Sequence, residues 1–99
     1  MDITIYYTKL FDLYYKLLTE KQCDYFRFYF FDNLTLEEIS DNENVSKANV
    51  SKEINKVKDL LDEYESKLHL LKYRESVLKE FENDKEVLSR IQKYDKILM

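Results

Sequence analysis

The chain contains neither a glycine nor a proline in 99 residues. Average usage is roughly 7% and 5%, so the two residues that most often turn, kink or interrupt a chain are absent. Helix is then the default wherever apolar residues recur every three or four positions. Each helix must start and stop on side-chain chemistry, with Ser, Thr, Asp or Asn at the starts and Asn where a left-handed turn is required. The same absence excludes Gly-rich phosphate loops and proline-broken linkers. The expected fold is all-α.

Ile3, Tyr6, Leu10, Leu13 or Tyr14, Leu17 and Leu18 recur at threes and fours and predict a first helix with this stripe buried. Thr19 with Gln22 forms a capping box, in which hydroxyl and amide satisfy free backbone N–H groups, and opens a second helix reaching about Phe31. That helix carries Cys23, Phe26, Tyr29 and Phe30 on one side but Tyr25, Phe28 and Phe31 elsewhere. So wide an apolar surface means that it is central or meets a partner. Thr35 with Glu38 is a second capping box and starts a short third helix holding Leu36 and Ile39 inward.

The residues from Asp41 to Asn44 must reverse the chain without glycine, and Asn44 is the side chain best suited to a left-handed turn. Ser46 then caps a further start. From Leu34 to Val57 the order is a capped short helix, a tight turn and a second capped helix, the outline of a helix-turn-helix over about 35–57. Beyond it Val50, Ile54, Val57, Leu61, Tyr64, Leu68 and Leu71 alternate steps of four and three with no breaker, predicting one long helix over about 46–72. Such a seam packs within the chain or against a twin. A homodimer is expected, with Leu61, Tyr64, Leu68 and Leu71 as the dimer or packing seam. Leu78 and Phe81 follow, and Asn83 or Asp84 caps a last helix over about 84–98 bearing Val87, Leu88, Ile91, Tyr94, Ile97 and Leu98. The prediction is five or six helices in a single domain spanning 1–99.

A chain of 99 residues with 44% hydrophobic content suits one small core and leaves no room for a separate catalytic domain. Its longest apolar runs, such as Phe28 to Phe31, fall far short of the roughly 20 residues of a membrane-spanning helix, and no targeting segment opens it. A soluble cytoplasmic protein without membrane insertion is expected. The lone Cys23 reads as a packed apolar thiol. Glu65 and His69 stand at helical i, i+4 spacing but make only half a metal pair, so a solvated helix face is the simpler reading. With one histidine and no base beside a nucleophile, no catalytic residues, metal or cofactor are expected.

Recognition is the remaining chemistry. Val50, Ile54 and Val57 mark the inner side of the long helix, which places Ala48, Ser51, Lys52 and Asn55 opposite and Lys47, Asn49 and Lys56 beside them. Asn can bond base edges and Lys can meet guanine or phosphate, so Ser46, Lys47, Asn49, Ser51, Lys52, Asn55 and Lys56 are the candidate nucleic-acid-binding residues. Between Lys47 and Lys58 four lysines face one acid, Glu53, in a protein of net charge -4. Against this, Glu37, Glu38, Asp41 and Glu43 crowd the preceding helix and repel phosphate. Nucleic-acid contact and a merely solvated lysine face both remain open from the residues alone.

Leu18, Thr19, Lys21 and Gln22, then Tyr25, Tyr29, Asp32, Leu36, Glu38, Ile39, Val45, Ser46, Val50 and Ile54, and finally Tyr64, Glu65, Lys67, Leu68, His69 and Leu70 resemble the YlxM family. These are small bacterial proteins similar to region 4 of sigma factors and associated with the signal recognition particle and its GTPase, Ffh. The resemblance covers about residues 6 to 71. It implies a sigma factor region 4-like helix-turn-helix with a long helix after the motif and a C-terminal helical extension. It further implies a non-enzymatic accessory or regulatory role, with signal recognition particle RNA or Ffh as partner. The chain departs from the pattern at Glu43, where an apolar turn residue is usual, and at Asn44, where glycine is usual. A DNA-binding transcriptional regulator and a helical protein-interaction module without nucleic acid are the alternative readings.

Overall fold

The computed structural model describes residues 2–98, with side chains through Asp95. Ile97 and Leu98, expected on the last helix, lie outside the described side chains. Every regular element among the described residues is helical: α1 (Ile3–Tyr14), a 3-10 turn (Tyr15–Leu17), α2 (Glu20–Phe30), α3 (Leu36–Glu43), α4 (Lys47–Leu68), α5 (Leu70–Glu80) and α6 (Lys85–Leu98).

The starts follow the side-chain chemistry. Both capping boxes form, Gln22 N donating to Thr19 Oγ1 at 3.2 Å and Glu38 N to Thr35 Oγ1 at 3.1 Å, each answered by the return bond to the cap amide. Asp84 rather than Asn83 caps α6, accepting from Val87 N at 3.1 Å. Among the described residues, left-handed backbone occurs at three, none of them glycine: Asn33, Asn44 and His69.

α2 takes part in two cores, as α4 does, which accounts for its excess of apolar surface. One side of it, through Cys23 and Phe26, closes a core with Leu10, Phe11, Tyr14, Val57, Leu61 and Leu71. Its other side, through Tyr25, closes a second core with Ile39, Val50 and Ile54. Phe11 stacks on Phe26 at 4.3 Å between ring centroids, and Phe26 on Phe30 at 4.4 Å. Complete burial of rings such as Phe26 contributes up to about 3 kcal/mol each.

Two expectations are corrected. The first stripe is not buried throughout: Ile3 is 67% exposed and Leu17 54%, while Phe11, outside the stripe, is in the core. The α-helix stops at Tyr14, and the 3-10 turn advances three residues per turn, so the 3.6 period no longer places Leu17 inward. The long helix does not run to about residue 72. It ends at Leu68, because His69 adopts φ 55° and ψ 29°, and α5 leaves in a new direction.

The break at His69 is built from its surroundings. Tyr14 Oη donates to Glu65 Oε1 at 2.6 Å and accepts from Leu70 N at 3.1 Å. Glu65 Oε1 accepts from Leu71 N and Glu65 Oε2 from Lys72 N, both at 3.1 Å. The first free amides of α5 are thus satisfied by a tyrosine and a carboxylate from other helices, and the negative charge lies at the positive end of the α5 dipole. Glu65, read from sequence as part of a solvated face, is a capping residue. Burial first, then the bond to Glu65, pushes the Tyr14 phenol up to about 12.

A candidate nucleic-acid interface on the fourth helix

The geometry of the site begins at the turn. Asn44 sits at φ 55° and ψ 45°, with its N–H on the Ser40 carbonyl, and Val45 N donates to the same Ser40 oxygen at 3.1 Å. The two bonds close α3 without glycine. Two residues on, Ser46 is extended and its hydroxyl accepts from Asn49 N at 3.1 Å, which starts α4. α4 is anchored from within by Val50, Ile54, Val57 and Leu61, all buried.

That anchoring fixes what faces outward. Ser46, Lys47, Asn49, Lys52, Asn55 and Lys56 are exposed, and Ser51 is half-buried. At about 100° per residue, Asn49, Lys52 and Lys56 (i, i+3, i+7) form one stripe, with Asn55 adjacent across the face. Lys47 and Ser51 fall on the opposite flank of the helix. The structure therefore gathers one group of the candidates and leaves Lys47 and Ser51 apart from it.

Lys47, Lys52 and Lys56 form no ion pair with any described residue. Lys58 behaves differently. It is half-buried with Nζ 5.1 Å from the centre of the Tyr7 ring, whose hydroxyl donates to Asp62 Oδ2 at 2.9 Å, so it is engaged against α1. The free cations at this end of α4 are thus three. Of the opposing acids, Glu38 is committed to its capping box, whereas Glu37, Asp41 and Glu43 are exposed. Burial, reinforced by the charges of Glu43 and Glu53, raises the Tyr25 phenol above its ordinary value. Further along α4 the outer face turns acidic with Asp59 and Glu63, so positive potential is confined to its first turns.

The seam residues divide. Leu61 is fully buried, Leu71 is 5% exposed, and Tyr64 is half-buried with its hydroxyl donating to the Leu17 carbonyl at 3.3 Å. Leu68 faces solvent at 52% exposure. In this conformation Leu61, Tyr64 and Leu71 are satisfied within one chain.

No described helix is long and apolar enough to cross a membrane, and no described group of three or more His, Cys, Asp and Glu could hold a metal ion. Cys23 is buried, its thiol pushed up by burial and 3.5 Å from the Tyr15 carbonyl.

The comparisons with known proteins agree with this architecture. A family model described as "Putative helix-turn-helix protein, YlxM / p13 like" matches residues 1–98. A UPF0122 protein of Shouchella clausii is 39% identical over 93 residues, covering 94% of this chain and 79% of its own length. One from Halalkalibacterium halodurans is 37% identical over 91 residues, covering 92% and 77%. One from Mycoplasma capricolum is 42% identical over 78 residues, covering 79% and 68%. All-helical architecture, a capped helix pair around a left-handed turn, and a match along nearly the whole chain lead to one conclusion: the chain belongs to the UPF0122 family of YlxM / p13-like helix-turn-helix proteins.

Proposed function

We propose that this chain is a non-enzymatic accessory or regulatory protein of the cytoplasm that contacts nucleic acid through the first turns of α4. In this reading it acts in the signal recognition particle pathway, on that particle's RNA or on the Ffh GTPase, with a sigma region 4-like domain as its scaffold. The observation that carries it is the exposed Asn49, Lys52 and Lys56 stripe, whose lysines have no acidic partner among the described residues, on a helix opened by Ser46. Lysines reach phosphates while Asn49 and Asn55 bond unpaired base edges, a combination suited to shape-led RNA recognition. Two lysines on the stripe, with Lys47 on the other flank, make binding weak and steeply salt-dependent, so pairing into a homodimer, which doubles the contacts, is part of the proposal.

The test is a mobility shift of labelled signal recognition particle RNA at low salt, together with co-elution with purified Ffh and its GTP hydrolysis. Wild-type protein should shift the RNA, and Lys52→Glu with Lys56→Glu should abolish the shift while leaving the fold intact. No shift, no co-elution and unchanged hydrolysis would sink the idea.

A second reading, a dimeric regulator of duplex DNA, is favoured by the helix-turn-helix itself, whose second helix is capped by Ser46 and exposes Lys47, Asn49 and Lys52 in its first turns. Selection from random duplexes that enriches no motif would count against it. Capture of protein alone, insensitive to the lysine substitutions, would favour a helical interaction module.

A further inference from the structure

α4 and α5 are separated by one residue, His69. Among the described residues His69 is left-handed, as are Asn33 and Asn44; all three are of the types that most often take this conformation, but each carries a Cβ and holds it at a cost that glycine would not meet. Neither glycine nor proline is present to enforce the bend. The spacing of four and three that runs from Val50 to Leu61 continues through Tyr64, Leu68 and Leu71, as though one helix were intended. In the bent chain Leu68 is the position where that seam leaves the core and faces solvent.

Beyond the bend, α5 and α6 form an arm. They are joined by the Arg74–Asp95 ion pair at 3.1 Å, with both side chains only 22% exposed. The arm meets the body through Leu71, which completes the core beside α1, through the Lys9–Glu75 ion pair at 3.0 Å, and through the Tyr14 and Glu65 bonds to its first amides. The contacts of Leu71 and Glu75 could be made equally by an identical arm from another molecule, since an exchanged element finds the same partners. The bonds at the bend itself are the ones lost, replaced by continuous helical bonds through residue 69.

We propose that the α5–α6 arm exchanges between two copies of this chain by straightening at His69, so that Leu71 of each copy fills the other's core and Glu75 pairs with the partner's Lys9. This rests on the paired-chain part of the function proposed above and is independent of nucleic-acid contact. The occupant of the vacated surface is a second copy because the surface is already shaped for this arm.

The experiment uses the full chain with Lys9→Cys, Glu75→Cys and Cys23→Ala, carrying either His69→Ala or His69→Gly, linked with a short bis-maleimide and followed by sedimentation without nucleic acid. Glycine accepts the left-handed bend and alanine favours helix. A left-handed residue bearing a Cβ is disfavoured by roughly five- to thirtyfold, and a pair straightens two bends, so His69→Ala should associate at least about tenfold more tightly than His69→Gly. In the alanine chain the link should join two chains, and in the glycine chain it should close within one. Equal association of the two variants would overturn the proposal. So would an alanine dimer whose links remain within each chain, which would leave pairing intact through another surface and refute only the exchange.

Discussion

Glu65→Ala tests the junction that turns a long seam into two helices. The substitution removes the acceptor of the Tyr14 hydroxyl at 2.6 Å and of the Leu71 and Lys72 amides at 3.1 Å. Tyr14 is 1% exposed, so its hydroxyl hydrogen, left without an acceptor, costs about 1–2 kcal/mol, while its oxygen keeps the Leu70 amide. Glu65 itself is half-buried and water can reach the freed amides, so those two bonds count for about 0.5–1 kcal/mol each. The expected loss is about 3 kcal/mol, a large share of the roughly 5–15 kcal/mol available to a small domain. At this chain length it lowers the melting temperature by about 12–24 °C. Urea and thermal unfolding followed by circular dichroism measure it, and hydrogen exchange should show the Leu70, Leu71 and Lys72 amides opening more readily. Combined with Tyr14→Phe, the double-mutant cycle should return a coupling above about 0.5 kcal/mol, because the two side chains share one bond. A loss below about 0.5 kcal/mol with unchanged exchange at these amides would refute the assignment of Glu65 as the cap of α5.

Two further outcomes follow from the same structure. Asn44→Gly should be neutral or stabilise by up to about 1 kcal/mol, whereas Asn44→Ala should destabilise by about 1 kcal/mol, since Asn44 holds φ 55°; equal denaturation midpoints for the two variants would contradict the turn geometry. Burial, aided by the bonds to Asp62 and Glu65, raises the Tyr7 and Tyr14 phenols from 10.0 to about 12. A phenol whose folded value is raised contributes stability that is complete below its unfolded value and lost as pH rises through the folded one, so stability should fall between pH 10 and about 12. Denaturation midpoints across that window should decline less steeply for Tyr14→Phe, and an identical decline would exclude Tyr14 as a contributor.

Much of the local structure was legible because it rests on short-range chemistry. Thr19 with Gln22, Thr35 with Glu38, and Ser46 announce their helix starts through bonds spanning three residues. Asn44 was legible by elimination, as a left-handed turn had to be made without glycine. The inward face of α4 could be read from Val50, Ile54 and Val57, and with it the outward face that carries Lys52 and Lys56. The composition of that face did not reveal that Lys58 is withdrawn onto Tyr7, because this depends on α1 crossing α4 at that height. Phe11 was missed for a similar reason: its burial depends on stacking with Phe26, a residue of another helix.

The sequence by itself determined that this chain is helical, where most of its helices begin, and which side of each is apolar. Those properties depend on residues within one or two turns of each other, and the lack of glycine and proline leaves little competition. Only the tertiary structure decided that the seam from Val50 to Leu71 bends at His69. A regular run of apolar residues is compatible with a straight helix paired to a twin and with a bent one folded on itself. The bend is made where Tyr14, fifty-one positions before Glu65 in the chain, supplies the hydroxyl that holds that carboxylate over the start of α5. Bonds of that separation are invisible to periodicity, and they determine whether Leu71 fills this chain's own core.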